Sequence, residues 1–446
     1  MKRLHLLART RCAAAIATIA LHVSVADAQE LPQPMTLAQA ISFARQHSPL
    51  LAARHAAVSA EEAGVKAAWS GHLPRLAVGA AYRLSEPGTR TALGLPLTPF
   101  ADIPEQPRSG QHVNGVISAT VPIYLGGRVT EATHVADAQR DLAAARAVDT
   151  EREVVFQVTR SFTNLVELDR DVEAAYQSLD ALTESRRTVE EMLAAQKVAR
   201  VDLLKVDTRH ASVRATVIAF VTARQIEVGR LNSLLGRPVD LQVAVPTEMP
   251  RKELPAEPGK LDDVLAQNTR VRVASADAQI AGRQAALARA GLLPSIVAVG
   301  NLWTQGLDLA GTYRSGVAGG LVLSVPIDAA LFHRAKESAS RELEGRAELE
   351  QVRLDAQERI RTAYLQAQDA AERIRATEAA VGYADEALRI EREKQRLGRS
   401  TIENLLDAQA ALLSSQSNYY RALGDETIAV AAVEREAGPG PQEAAR

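Results

Sequence analysis

The residues able to carry chemistry are few, and their spacings deny most chemistry. Nine histidines are scattered along the chain. None stands in the H-x3-H or H-E-x-x-H spacing that brings two ring nitrogens to one metal. Four methionines, one of them the initiator, make no thioether cluster. Cys12 is the only cysteine, and it lies in a stretch that reads as a removable leader. A mature chain without it has no disulfide and no thiolate metal site. Serine and cysteine hydrolase motifs are absent. Gly126-Gly127 and Gly319-Gly320 fall at a junction and in a strand, not in a phosphate-binding loop. No catalysis and no cofactor are therefore expected. A net charge of −2 offers no broadly basic surface, so no nucleic-acid partner is expected either.

What the sequence does carry is organisation. Leu73-Pro74-Arg75-Leu76 returns as Leu293-Pro294-Ser295-Ile296, and Val121-Pro122-Ile123 returns as Val325-Pro326-Ile327. A repeat this long is a duplicated domain rather than a solenoid unit. Aromatic residues make up only 4%. Ala, Leu, Arg, Glu and Gln dominate the long segments, as in coiled coils. Residues 1–28 read as a signal peptide: Lys2, Arg3, Arg9 and Arg11, an apolar run, then Ala26-Asp27-Ala28. The region 29–236 reads as a first unit, 237–259 as a proline-rich linker, 260–437 as a second unit and 438–446 as a disordered tail.

Within the first unit a helical stretch precedes a pair of strands. Thr36 to about Ser70 has a 3.6-residue period, with a break at Pro49. Residues 75–83 and 113–123 alternate with period two, separated by a long loop holding five prolines at 84–112. Leu76, Val78, Ala80 and Tyr82 share one face, as do Val113, Ile117 and Val121. The second pair falls at about 295–304 and 313–327, with Val317, Leu321, Leu323, Val325 and Ile327 on one face.

Each pair feeds a very long helical hairpin, at 128–236 and 329–437. No Pro or Gly interrupts residues 128–196. Val158, Leu165, Val172 and Leu179, with Leu168, Ala175, Leu182 and Val189, make an a/d seam. Ile360, Ala367, Ile374, Val381 and Leu388 make the second. The first rod turns near Val198–Asp202, and its return helix stops at Leu235-Gly236-Arg237-Pro238. The second turns at Leu397-Gly398-Arg399-Ser400. There Ser400 to Glu403 reads as a capping box, and the helix it opens is expected to end at or soon after Leu423-Gly424.

Strands of about ten residues with one apolar face suit a tilted outer-membrane barrel. Four cannot close one, and an open edge in lipid leaves backbone groups unpaired. Three chains would supply twelve strands to a shared barrel, with the rods packing into a helical tube. The alternative is a soluble periplasmic coiled-coil scaffold with two incidental hairpins.

The chain resembles the TolC family of outer-membrane efflux channels over essentially its whole mature length. Val121-Pro122-Ile123-Tyr124 with Gly126-Gly127-Arg128 is similar to the family's strand-to-helix junction. Leu231-Asn232 through Pro238 resembles its end-of-repeat motif, and Gly398-to-Ile402 with Leu405-Leu406-Asp407-Ala408 its second tip. The resemblance implies a mainly α-helical chain with membrane β-structure. A homotrimer would form an α-helical barrel in the periplasm and a 12-stranded β-barrel in outer-membrane lipid. Its partners would be a periplasmic adaptor (membrane fusion) protein and an inner-membrane pump of RND or ABC type.

The resemblance also carries site residues. The family's two pore-ring aspartates fall at Asn404 and Asp407, one of them neutral here. Asp202 matches a gate aspartate, and serves equally well as a helix cap. The basic gate partner falls at Ser400, beside Arg399, and the aromatic one at Gln395. Asp202 and Arg399 are therefore expected to help hold the closed state. Adaptor docking is expected at Lys197, Val198, Ala199, Arg200 and Val201, where Gln196 replaces the usual glycine. The second docking tip comprises Leu397, Gly398, Arg399, Ser400 and Thr401. Small-molecule or metal efflux is the expected function, with protein export by an ABC system as the alternative.

Overall fold

A computed structural model describes residues 34–85, 110–251, 254, 261–306 and 313–438. The expected leader, the middle of the first loop, the end of the linker and the tail lie outside the described residues. The elements are α1 (Leu37–His47), α2 (Pro49–Trp69), a short 3-10 turn (Ser70–His72), β1 (Arg75–Ser85), β2 (Gly110–Tyr124), α3 (Arg128–Ala194) and α4 (Arg200–Leu235). The order then repeats as α5 (Leu261–Gln267), α6 (Thr269–Ala290), β3 (Ser295–Gly306), β4 (Tyr313–Ser324), α7 (Ala329–Arg396) and α8 (Ile402–Ala437).

The helices start and stop where side chains can satisfy their ends. Thr36 and Gln39 form a reciprocal capping box before α1. Pro49 opens α2 at a position whose N–H needs no partner. The rods α3 and α7 have 67 and 68 residues, roughly 100 Å each at 1.5 Å per residue. Their seams are buried where the heptads place them: Val158, Leu165, Ala175, Leu182 and Val189 on α3, and Ile360, Ala367, Ile374 and Leu388 on α7.

The rods are covered rather than free. α4 and α8 return along α3 and α7, α6 lies between α3 and α7, and α8 also packs on α3. One core joins Met35, Phe162, Leu165, Val228, Leu231, Leu235 and Val243. Another joins Val271, Ile360, Tyr364, Ala367 and Val433. Full burial of each large aliphatic or aromatic side chain contributes about 1.5–3 kcal/mol. Asn232, wholly buried, donates from Nδ2 to Leu241 O at 2.7 Å and ties the linker back onto α4.

All four strands form one antiparallel sheet in the order β1-β2-β3-β4. Its central pairing, β2 with β3, joins the two halves of the chain. The register aligns Val78, Ile117, Leu302 and Val317 in one row across the sheet. All four are exposed, Val78 and Val317 by 80% and 81%. On the opposite face Trp303 lies over Gly316, where an added Cβ would come within 2.7 Å of the indole.

Three expectations need correction. β4 stops at Ser324, so Val325 and Ile327 follow the strand instead of continuing its face. The α8 cap is Thr401, whose hydroxyl accepts from Asn404 N at 3.3 Å, one residue later than the Ser400–Glu403 box. Gly424 does not end α8, which runs on to Ala437. A Cβ at Gly424 would sit 3.1 Å from Glu167 Oε2, so the glycine serves close packing on α3.

Candidate functional site

The ends of the two hairpins gather the expected site residues. Both turns have the same backbone design. At the first, Lys197 N donates to Met192 O and Gln196 N to Leu193 O; at the second, Arg399 N donates to Lys394 O and Gly398 N to Gln395 O. This paired closure needs a left-handed residue. Gly398 supplies it at φ 70°. Gln196 adopts it at φ 56°, the only positive-φ non-glycine among the described residues. The departure from glycine thus leaves the turn intact, at a steric cost of about 1–2 kcal/mol.

The return helices then set matched positions. Asp202 is the third residue of α4 and Asn404 the third of α8; Lys205 and Asp407 are the sixth. Asp202 accepts from Ala199 N at 3.1 Å, so it caps α4 from inside its first turn. Asn404 Nδ2 reaches Ser400 Oγ at 3.5 Å, and Ser400 Oγ donates to Glu391 at 2.5 Å. Lys394 binds the same Glu391 at 2.7 Å. The Lys394 and Ser400 hydrogen bonds hold the Glu391 carboxyl below its ordinary range. Asn404 and Asp407 are exposed, while Ile402, Leu405 and Leu406 on the other side of α8 are buried. Ile402 and Leu406 join Leu182, Val189, Val206 and Val213 in a core that locks the two tips together.

Asp202 and Arg399, expected to help hold the closed state, make no ion pair among the described residues of the single chain. The pair that bridges the two tips is Lys205 with Glu403, at 2.7 Å. Its hydrogen bond and charge lower Glu403 and raise Lys205, and the nearby charges of Asp202 and Asp407 raise Lys205 further. Arg186 reinforces the first hairpin by binding Asp207 at 2.7 Å. Sequence reading missed Lys205 and Glu403. Their spacing within each helix says nothing, because each finds its partner on the other hairpin.

The docking residues fall on the outermost turns. Lys197, Ala199, Arg200, Val201, Leu397, Gly398, Arg399 and Thr401 are exposed; Val198 and Ser400 are half-buried. Val198 packs against the tip core. Among the described residues no ion pair engages Lys197, Arg200 or Arg399. Val201, Leu204 and Leu397 leave aliphatic surface open beside them.

The fold is similar to that of several solved outer-membrane proteins. VceC from Vibrio cholerae superposes with a TM-score of 0.74 at 18% identity, covering 91% of this chain and 96% of that one. CmeC, the outer membrane channel of Campylobacter jejuni, gives 0.79 at 14% identity, covering 90% and 85%. MtrE, the outer membrane channel of Neisseria gonorrhoeae, gives 0.76 at 18%, covering 91% and 89%. Nodulation protein T of Rhizobium leguminosarum bv. trifolii is 24% identical over 303 residues, a stretch that spans 65% of this chain and 64% of that protein. Residues 40–237 and 261–438 match the outer membrane efflux protein family model, and with most of its length so matched the chain belongs to that family.

Proposed function

We propose that three copies of the chain form a passive outer-membrane conduit that exports small molecules, drugs, toxic compounds or metals. The carrying observation is the sheet. Its β1 and β4 edges have no partner within the described residues, and its apolar row faces outward. Such edges are tolerated in lipid only when a barrel closes on itself. The rods continue from the same strands and would span the periplasm as a tube. Residues 29–236 and 260–437 act as the two repeats, so three chains place six hairpins around one pore. The chain itself catalyses nothing; an inner-membrane pump of RND or ABC type supplies energy and selects cargo through a periplasmic adaptor.

In this reading Asn404 and Asp407 line the entrance beside Asp202 and Lys205. Lys205 is taken up by Glu403, so Asp202 and Asp407 leave the entrance with an excess of negative charge, weakened by the neutral Asn404. Lys205 with Glu403 takes the role expected of Asp202 and Arg399 in holding the tips. The turns at 197–201 and 397–401 receive the adaptor. Lys205→Ala and Glu403→Ala should raise single-channel conductance several-fold, while Arg399→Ala alone leaves it unchanged; the reverse pattern restores the Asp202–Arg399 tie. For the channel as a whole, a deletion strain should lose resistance to some members of a panel of drugs, dyes, detergents and metals. Loss of a secreted protein with unchanged resistance would assign the chain to protein export. Absence of heat-modifiable trimers from the outer-membrane fraction would sink the channel reading.

A further inference from the structure

The α3–α8 contact carries a cluster of charges around the buried Asp171, far from the tips. Glu167 and Asp171 lie one turn apart on α3 and face α8. Asp171 is 2% exposed and accepts from Ser417 Oγ at 2.6 Å. Glu167 sits against Gly424 and has one cation near it, Arg421 Nε at 3.5 Å from Oε1. Asp425 adds a further negative charge from α8 and is itself held by Arg373 of α7 at 3.2 Å. Arg373 is shared with Asp369 on α7 at 3.0 Å. From the linker, Arg251 binds Glu426 of α8 at 3.3 Å. Three carboxylates thus crowd a seam with one arginine placed to answer Glu167 and Asp171.

We propose that this seam is a proton-responsive joint between the two hairpins: a neutral Glu167 lets α8 lie in contact with α3, and an ionised Glu167 loosens that contact. The packing explains why. With Gly424 close against the carboxyl and only 17% of the Glu167 side chain left open to solvent, the closed seam hydrates an ionised carboxylate poorly. Burial first, and then the Asp171 charge, push Glu167 up to about 7, against the pull of Arg421. Burial raises Asp171 as well, opposed by its hydrogen bond from Ser417.

The sign follows from linkage. The closed seam holds the proton more tightly than the open one, whose solvated glutamate titrates near its ordinary 4.5. Closure is therefore most favoured in acid, weakens as pH climbs from that range to about 7, and levels off above. Ser417 lies ~24 Å along α8 from the tip cap Thr401, so loosening here gives the α7–α8 hairpin freedom at its far end.

Hydrogen exchange of α8 residues 413–427 in the full-length detergent-solubilised protein tests the joint, once the intrinsic pH dependence of exchange is divided out. Between pH 5 and pH 8 the protection of this segment should fall by about a hundredfold. In Glu167→Gln it should not change with pH. Arg421→Gln should extend the fall to higher pH, and Asp171→Asn should end it at lower pH. Those opposite displacements exclude a merely structural role, and they serve if the Glu167 variant fails to assemble. An unchanged fall in Glu167→Gln overturns the proposal. So does a flat wild-type profile, or displacement of the two other variants in the same direction.

Discussion

At the scale of single residues, the two tips solve one turn with different chemistry. Gly398 reaches its left-handed backbone freely, while Gln196 does so against its own Cβ. Gln196→Gly should therefore stabilise the first tip by about 1 kcal/mol, and Gly398→Ala should weaken the second by a similar amount. Thermal unfolding of the solubilised protein reads both signs. The Lys205–Glu403 pair is exposed on both sides, and solvent screening leaves such pairs little effect on stability. Its removal should leave the unfolding midpoint nearly unmoved, which separates an effect on conductance from damage to the fold. The site was half legible at this scale. The residue types and turn positions stand in the sequence, but the partners of Asp202 and Lys205 do not. One turns back to a backbone N–H and the other crosses to a helix far along the chain.

At the scale of elements, long rods are the most readable feature because a heptad repeats its message many times. Val158, Leu165, Ala175, Leu182 and Val189, and Ile360, Ala367, Ile374 and Leu388, are buried as their spacing demands, while Leu168, Val172, Leu179 and Val381 are half-buried in the single chain. Breaks are harder to read, since glycine has two uses. Gly236 ends α4, whereas Gly424 lies inside α8 and brings two helices together. Pro238 two residues after Gly236 marks the stop, and Gly424 has no such proline; its use for close packing is visible only from its neighbour on α3. Gly424→Leu should overpack that contact and cost about 1–3 kcal/mol, seen as a lower unfolding midpoint at pH 6. Likewise, Val325 and Ile327 keep the alternation of β4 but lie beyond Ser324, where the strand ends. Alternation marks which side a residue would face and not how far pairing continues.

At the scale of the whole molecule, the exposed row from Val78 to Val317 is the face that the proposed barrel turns to lipid. Val317→Arg should cost about 2–4 kcal/mol of barrel stability if its row lies at mid-membrane. Its neighbour Ala318 points to the opposite face, so Ala318→Arg should cost much less. The yield of folded trimer in outer-membrane fractions compares the two. One further feature bears on how the chain is made. Gly126, at φ 65°, closes the first half's strand-to-helix junction, yet a Cβ there would lie 2.9 Å from Leu293 Cβ and 3.0 Å from Ala290 O. The β2 strand likewise finds its second partner in β3. The earlier half therefore cannot finish folding while it is still the only part to have emerged from a translocation pore. A chain delivered from its amino end has the β1–β2 pairing available at once, but the junction at Gly126 and the second edge of β2 stay open until residues near 300 arrive.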